Sequence, residues 1–120
     1  MELTEIKEQF LLNAEGGEYF RDQKAYEYPE DAENNHRASK MNEELKNWLE
    51  SLPSDHPVFK RYKEFLEVCA EDDSLMEALG EGESDQWRMY GYQIQTTPED
   101  FIWNHLFPAI AREIEIRRED

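Results

Sequence analysis

The segment Gln-Trp-Arg-Met-Tyr-Gly-Tyr-Gln-Ile-Gln, residues 86–95, is the one on which the predicted fold class depends. Aromatic and β-branched side chains are enriched in strands, and alternation places successive side chains on opposite sides. Gly91 falls inside the run, at a position typical of a β-bulge. The pattern predicts a β-strand with two side chains on one side and three on the other: Trp87 and Met89, then Tyr90, Tyr92 and Ile94.

A second segment, residues 18–28, favours strands for the same reason. Its aromatic residues flank a polar stretch that suits a turn, and Pro29 ends it. The pattern predicts a short β-hairpin. Together with residues 86–95 it completes a small antiparallel sheet of about three strands.

In the rest of the chain, apolar residues recur at helical spacing, and this pattern predicts helices. A first helix starts at Thr4 and stops at Gly16-Gly17, because glycine commonly ends helices. Residues 30–35 are predicted as a loop or a first helical turn. A second helix runs from Ser39 to the residues before Pro53.

Three further helices follow along the chain. The first is capped by Ser54 or Asp55, has Pro57 in its first turn and buries Cys69. A short helix follows Asp72-Asp73-Ser74 and ends at Gly80 and Gly82. The last begins at Thr97-Pro98, and Pro108 predicts a kink near residues 104–107. The predicted fold is therefore α+β and helix-rich, with about four main helices on one face of the sheet, in a single acidic globular domain, residues 1–120.

Charge is the unusual property of the chain. It has 29 Asp and Glu against 13 Lys and Arg, a formal net charge of −16. Such a surface repels nucleic acid and anionic membranes, so cationic partners are expected instead. A single cysteine rules out an internal disulfide, which favours a cytoplasmic location. No apolar run reaches the ~18 residues that a membrane span requires.

Catalytic and metal-binding patterns are not apparent in the sequence. His36, His56 and His105 do not pair at metal-ligand spacing. An EF-hand register starting at Asp73 fails, because Ala78 stands where glycine is required. Neither a nucleophile elbow nor a phosphate-binding glycine loop is present. We therefore expect no enzyme activity, no cofactor and no metal.

Acidic residues are concentrated in two clusters. Between residues 64 and 87 no Lys or Arg occurs, whereas the first 63 residues hold 14 acids and 9 bases. The predicted partner-binding residues of the first cluster are Glu64, Glu67, Glu71, Asp72, Asp73, Glu77, Glu81, Glu83 and Asp85. Those of the second are Glu27, Glu30, Asp31 and Glu33.

Helical spacing arranges part of the first cluster as a ladder. Glu64, Glu67 and Glu71 share one helix face, with steps of about 4.5–6 Å. One nucleic-acid strand carries a charge every ~3.4 Å, so such a row resembles a phosphate backbone. Two simpler interpretations compete: an ordinary solvated face, and acidification of the whole surface for life in high salt. The uneven distribution of charge favours a local binding role.

In size, acidity and lack of catalytic motifs, the chain resembles the acidic DNA-mimic proteins of bacteria and phages. The resemblance implies an inhibitor that occupies the DNA-binding surface of a basic protein, such as a histone-like HU-type protein, a repressor or a nuclease. The alternative is an immunity protein, antitoxin or chaperone dedicated to one basic client. In either case the partner is a protein, and the oligomeric state is a monomer or a small homo-oligomer.

Overall fold

The structure, a computed structural model, describes residues 1–119, and helices make up 84% of it. The helices are α1 (Leu3–Glu27), α2 (Ala32–Ser51), α3 (Pro57–Cys69), α4 (Asp73–Met89), α5 (Pro98–Phe101) and α6 (Phe107–Glu119). A 3-10 turn, Pro29–Asp31, precedes α2, and a π-helical turn, Ile102–Leu106, joins α5 to α6. The part of the chain that the structure describes contains no sheet, so the predicted α+β class is wrong.

Helices α1 and α2 form an antiparallel pair. The hairpin predicted for residues 18–28 is wrong, because this segment is the second half of α1. Arg21 and Ala25 extend the buried face that starts with Ile6, Phe10 and Ala14, at steps of four and seven residues, one or two helical turns. This face is buried in the core, where Phe10 packs against rings of α3 and α4 and Arg21 donates to Asn35 of α2. Its burial overrides the strand preference of the aromatic residues in this segment.

Glycine does not end α1 where the sequence predicted. At Gly17, a Cβ atom would lie only 2.4 Å from Oδ1 of Asn42, so this glycine allows α1 and α2 to approach closely. Helix α2 starts at Ala32 instead of Ser39, so residues 30–35 form the 3-10 turn and the first helical turn.

Helix α4 also continues through its predicted stop. A Cβ atom at Gly82 would lie 2.7 Å from Cα of Ile110, so Gly82 lets α4 and α6 cross in contact. The predicted strand 86–95 is wrong as well: its first residues end α4 and the rest form a turn with one isolated bridge, between Tyr90 and Ile94. Gly91 has a φ of +84°, a conformation that glycine tolerates, and it packs against the backbone of Ala38.

Two of the predicted helix starts are confirmed. Asp72, the first residue of the predicted start Asp72-Asp73-Ser74, caps α4, and Thr97 caps α5. His56 caps α3 instead of Ser54 or Asp55, and its Nδ1 accepts a hydrogen bond from the Val58 amide. The kink predicted from Pro108 is a π-helical turn in which the Phe107 amide donates to the Ile102 carbonyl.

Aromatic side chains form the centre of the core. The Phe10 ring meets the rings of Phe59, Tyr62 and Trp87 edge-on at centroid distances of 5.6, 5.1 and 5.4 Å. Cys69 is buried, as predicted. These contacts bring α1, α3 and α4 together in a flat molecule with principal extents of 45 × 34 × 20 Å.

Candidate partner-binding surface

Most of the predicted partner-binding residues reach solvent. Eleven of the thirteen acids are exposed, and the two exceptions, Asp31 and Glu83, are half-buried. Exposure alone leaves them available to a partner, so their value as binding groups depends on which of them already have a cationic neighbour.

The end of α3 and the start of α4 form an acidic corner, defined here as Glu67, Glu71, Asp72 and Asp73. All four are exposed, and within residues 1–119 no basic side chain forms an ion pair with any of them. One oxygen of Asp72 is already engaged, because Oδ1 accepts the amides of Ser74 and Leu75 at the start of α4. The corner therefore presents four carboxylates on one helix-to-helix turn.

Apolar side chains interrupt the acidic corner. Val68 lies between two of its glutamates and is 45% exposed, and Met76 in the first turn of α4 is 40% exposed. Two accessible apolar groups thus lie on the same helix ends as the four carboxylates.

The remainder of the first cluster is partly compensated, which the sequence did not reveal. Arg61 pairs with Glu64 at 3.0 Å. Arg117, from the far end of the chain, lies 2.6 Å from Glu81 and 3.8 Å from Glu77. The hydrogen bond to Glu81 raises the pKa of the Arg117 guanidinium. Residues 64–87 include no Lys or Arg, but in the folded protein Arg61 and Arg117 lie next to some of their acids.

Glu83 points into the protein and is not part of an exposed ladder. Its Oε1 accepts a hydrogen bond from the Tyr62 hydroxyl at 3.0 Å, and Oε2 lies 3.5 Å from the indole nitrogen of Trp87. Burial raises the pKa of the Glu83 carboxyl, and these two hydrogen bonds oppose that shift only in part. Asp85, by contrast, is exposed on the same helix.

The second cluster lies at the turn between α1 and α2. Glu27 pairs with Lys24 at 3.2 Å, whereas Glu30 and Glu33 are exposed. Asp31 accepts hydrogen bonds from Tyr92 and from Asn34, and these hold the pKa of its carboxyl below the usual range. The Asp31 carboxylate is therefore engaged in hydrogen bonds within the protein and is less available to a partner than the exposed acids.

The acidic corner and the second cluster lie at opposite ends of α4. The acidic corner contains the first residue of this helix, while Asp31 contacts Tyr92, three residues after its end. Seventeen helical residues span about 25 Å. The acidic corner and the second cluster are therefore separate patches, spaced by about seven phosphate steps of a nucleic-acid strand, and the exposed acids Glu77, Glu81 and Asp85 lie along α4 between them.

A third acidic cluster was missed from the sequence. Glu15, Glu18 and Asp22 share a face of α1 at three- and four-residue steps, and Glu43 of α2 faces them. Burial, then repulsion by Glu43 and Asp22, raises the pKa of the Glu18 carboxyl. One base, Lys46, pairs with Glu15 at 3.7 Å. The helical spacing was visible in the sequence, but the predicted stop at Gly16-Gly17 divided it between two elements.

Arg21 was not identified as a buried residue either. Its guanidinium donates to Oδ1 of Asn35 and to the Arg88 carbonyl at the end of α4, and it lies 4.3 Å from the centroid of the Tyr92 ring. Only 9% of its surface is exposed. This single cation joins α1, α2 and the end of α4.

The described residues form neither a metal site nor a membrane-spanning helix that would indicate a function for these surfaces. Among residues 1–119, no group of three or more His, Cys, Asp or Glu side chains is placed to hold a metal ion. The helices within the same range are all too short or too polar to cross a membrane. No protein-family model, curated protein or solved structure matches the chain.

Proposed function

We propose that the protein is an acidic DNA mimic that binds the basic surface of a nucleic-acid-binding protein and so blocks access of DNA. The observation that carries the proposal is the acidic corner, four exposed carboxylates that form no ion pair in the part of the chain that the structure describes. Lys and Arg that normally bind phosphates would find equivalent anions there.

The overall charge density supports the same proposal. A duplex as long as the molecule's longest extent, 45 Å, carries about 26 phosphate charges. The net charge of −16 corresponds to about three-fifths of that value. A field of this size attracts a cationic partner from solution and accelerates association at low ionic strength.

Competition with DNA tests this function directly. The immobilised protein is exposed to a bacterial lysate and to a purified HU-type protein as a defined probe, and the bound proteins are challenged with duplex DNA. We expect duplex DNA to release nucleic-acid-binding proteins, and affinity to fall about tenfold or more between 50 and 200 mM salt. Retained proteins that DNA does not release would overturn the proposal.

Charge neutralisation locates the binding surface. The triple variant Glu67→Gln, Glu71→Gln, Asp73→Asn keeps the Asp72 cap and removes three charges from the acidic corner. A matched control, Glu8→Gln, Glu44→Gln, Glu50→Gln, removes three charges from exposed positions on α1 and α2. We expect the corner variant to weaken partner binding well beyond the control. Equal weakening would mean that net charge, and not the corner, determines affinity.

The exposed Val68 and Met76 favour a second candidate, a partner protein dedicated to one basic client. Interfaces of that kind combine apolar anchors with surrounding charges, as the acidic corner does. The pair Val68→Ser and Met76→Ser separates the candidates. A DNA mimic that binds through charge tolerates both changes, whereas a dedicated client loses affinity even when salt and DNA have little effect.

A further inference from the structure

A groove between α1 and α4 contains a carboxylate without a cationic partner. It encloses about 410 Å³, within the size range of small-ligand sites. Glu83 lines it together with the aromatic rings of Phe20 and Trp87 and with Leu12. None of the ion pairs within residues 1–119 includes Glu83, although it is half-buried.

The groove is open because glycine occupies two positions that packing does not require. At Gly16 and at Gly80, a Cβ atom would meet no atom within 4 Å. Glycine inside a helix is less favourable than alanine, because it loses more conformational freedom on folding. Gly17 and Gly82 differ, because their neighbours leave no space for a side chain. Gly16 and Gly80 therefore leave an accessible space above Glu83 that alanine or larger residues would narrow.

We propose that this groove binds a primary ammonium group on an alkyl stem, with Glu83 as its counter-ion. Tyr62 and Trp87 each donate one hydrogen bond to Glu83, so its two oxygens retain acceptor capacity for an ammonium. Leu12 and the rings of Trp87 and Phe20 supply apolar surface for the alkyl stem. The Phe20 ring already has two cations of the protein near it, Arg21 at 5.1 Å and Lys24 at 5.4 Å from its centroid, so the ammonium is assigned to Glu83 and not to this ring. A bound cation also offsets the cost of a half-buried carboxylate.

Two sources could supply this group: the lysine side chain of a partner protein, or a free alkylamine. Arg88 also lines the groove, and its positive charge opposes the entry of a cation. Within the described chain it forms no ion pair with Glu83. The site does not depend on the acidic corner, so it can be correct whether or not the protein mimics DNA.

Titration monitored by NMR tests the site. The probes are n-butylammonium chloride for a free amine and Nα-acetyl-lysine methylamide for a lysine side chain, at constant ionic strength. We expect saturable shifts of the Trp87 indole N–H and of the Gly16 and Gly80 amides, with n-butanol and Nε-acetylated lysine inactive. The tighter of the two cations identifies the source. Absence of saturation, or equal shifts with n-butanol, would overturn the proposal.

Variants assign the response to the carboxylate. Glu83→Gln keeps the shape and the acceptor for Tyr62, and should weaken binding about tenfold or more, because a charge-assisted contact is lost. The matched control Asp85→Asn, on an exposed position of the same helix, should bind as the native protein does. Native-like binding by Glu83→Gln would contradict the proposal.

Two further variants test whether the ligand occupies the groove and whether it carries a positive charge. Gly80→Leu fills the groove and should abolish binding while Glu83 remains. Arg88→Gln should strengthen ammonium binding, because a positive charge is removed from the lining of the groove, and weaker ammonium binding by this variant would contradict the proposal. The triple variant of the acidic corner should leave ammonium binding unchanged, so failure of the DNA-mimic proposal and failure of this site are separately visible.

Discussion

At the scale of single residues, Glu83 makes stability depend on pH. Burial raises the pKa of its carboxyl in the folded protein above the value of about 4.3 that an unfolded chain has. Below that value both states are protonated and burial costs little. As pH rises through the unfolded and then the folded pKa, the folded state is increasingly penalised.

Replacement of Glu83 by Gln should therefore stabilise the protein at pH 7, with a gain that shrinks toward pH 4. Urea unfolding at the two pH values measures this difference. Asp85→Asn, where the carboxylate is exposed, should show no comparable gain. A Glu83→Gln variant that is less stable than the native protein at pH 7 would show that the hydrogen bonds from Tyr62 and Trp87 outweigh the desolvation of the charge.

Arg21 is the second residue whose environment allows a prediction about stability. Arg21→Met keeps much of the side-chain volume but leaves Oδ1 of Asn35 and the Arg88 carbonyl without their donor. We expect a loss of about 1–3 kcal/mol in the free energy of unfolding. Lys40→Met removes the same charge from an exposed position of α2 and should change stability little. Equal effects of the two substitutions would indicate that only net charge matters.

At the scale of elements, glycine has a different role from the one its sequence context suggested. Gly82→Ala should destabilise the protein by about 1–3 kcal/mol, because the new methyl group would meet the backbone of Ile110 at the crossing of α4 and α6. Gly80→Ala, two residues earlier in open space, should stabilise by about 0.5–1 kcal/mol. Urea unfolding of the pair separates close packing from helix propensity. Equal effects would contradict the close crossing.

These contacts explain which elements could be predicted from the sequence. Helix starts such as Asp72 and Thr97 were predictable because capping is local chemistry between neighbouring residues. The ends of α1 and α4 were not, because Gly17 and Gly82 are determined by Asn42 and Ile110, which are distant in sequence. The same limit applied to the candidate surface: the acidic corner was predictable, whereas the pairing of Glu77 and Glu81 with Arg117 required the fold.

At the scale of the whole molecule, the charge affects folding and binding in opposite directions. A net charge of −16 on a body of 45 × 34 × 20 Å repels itself across much of the molecule at low salt, since the screening length of about 30 Å at 0.01 M is two-thirds of the longest extent. At 0.15 M it is about 8 Å, so only near neighbours still interact. Added salt therefore weakens repulsion within the chain and also weakens attraction to a basic partner.

We therefore expect the midpoint of thermal unfolding to rise between 10 and 200 mM NaCl, while affinity for the partner falls over the same range. Differential scanning calorimetry and a binding titration in matched buffers measure both. The corner variant with Glu67, Glu71 and Asp73 neutralised should show a smaller salt dependence in both measurements, since it has lost charges that repel each other and that we propose to bind the partner. A melting temperature that falls with salt would show that the paired acids, such as Glu81 with Arg117, contribute more to stability than the uncompensated carboxylates cost.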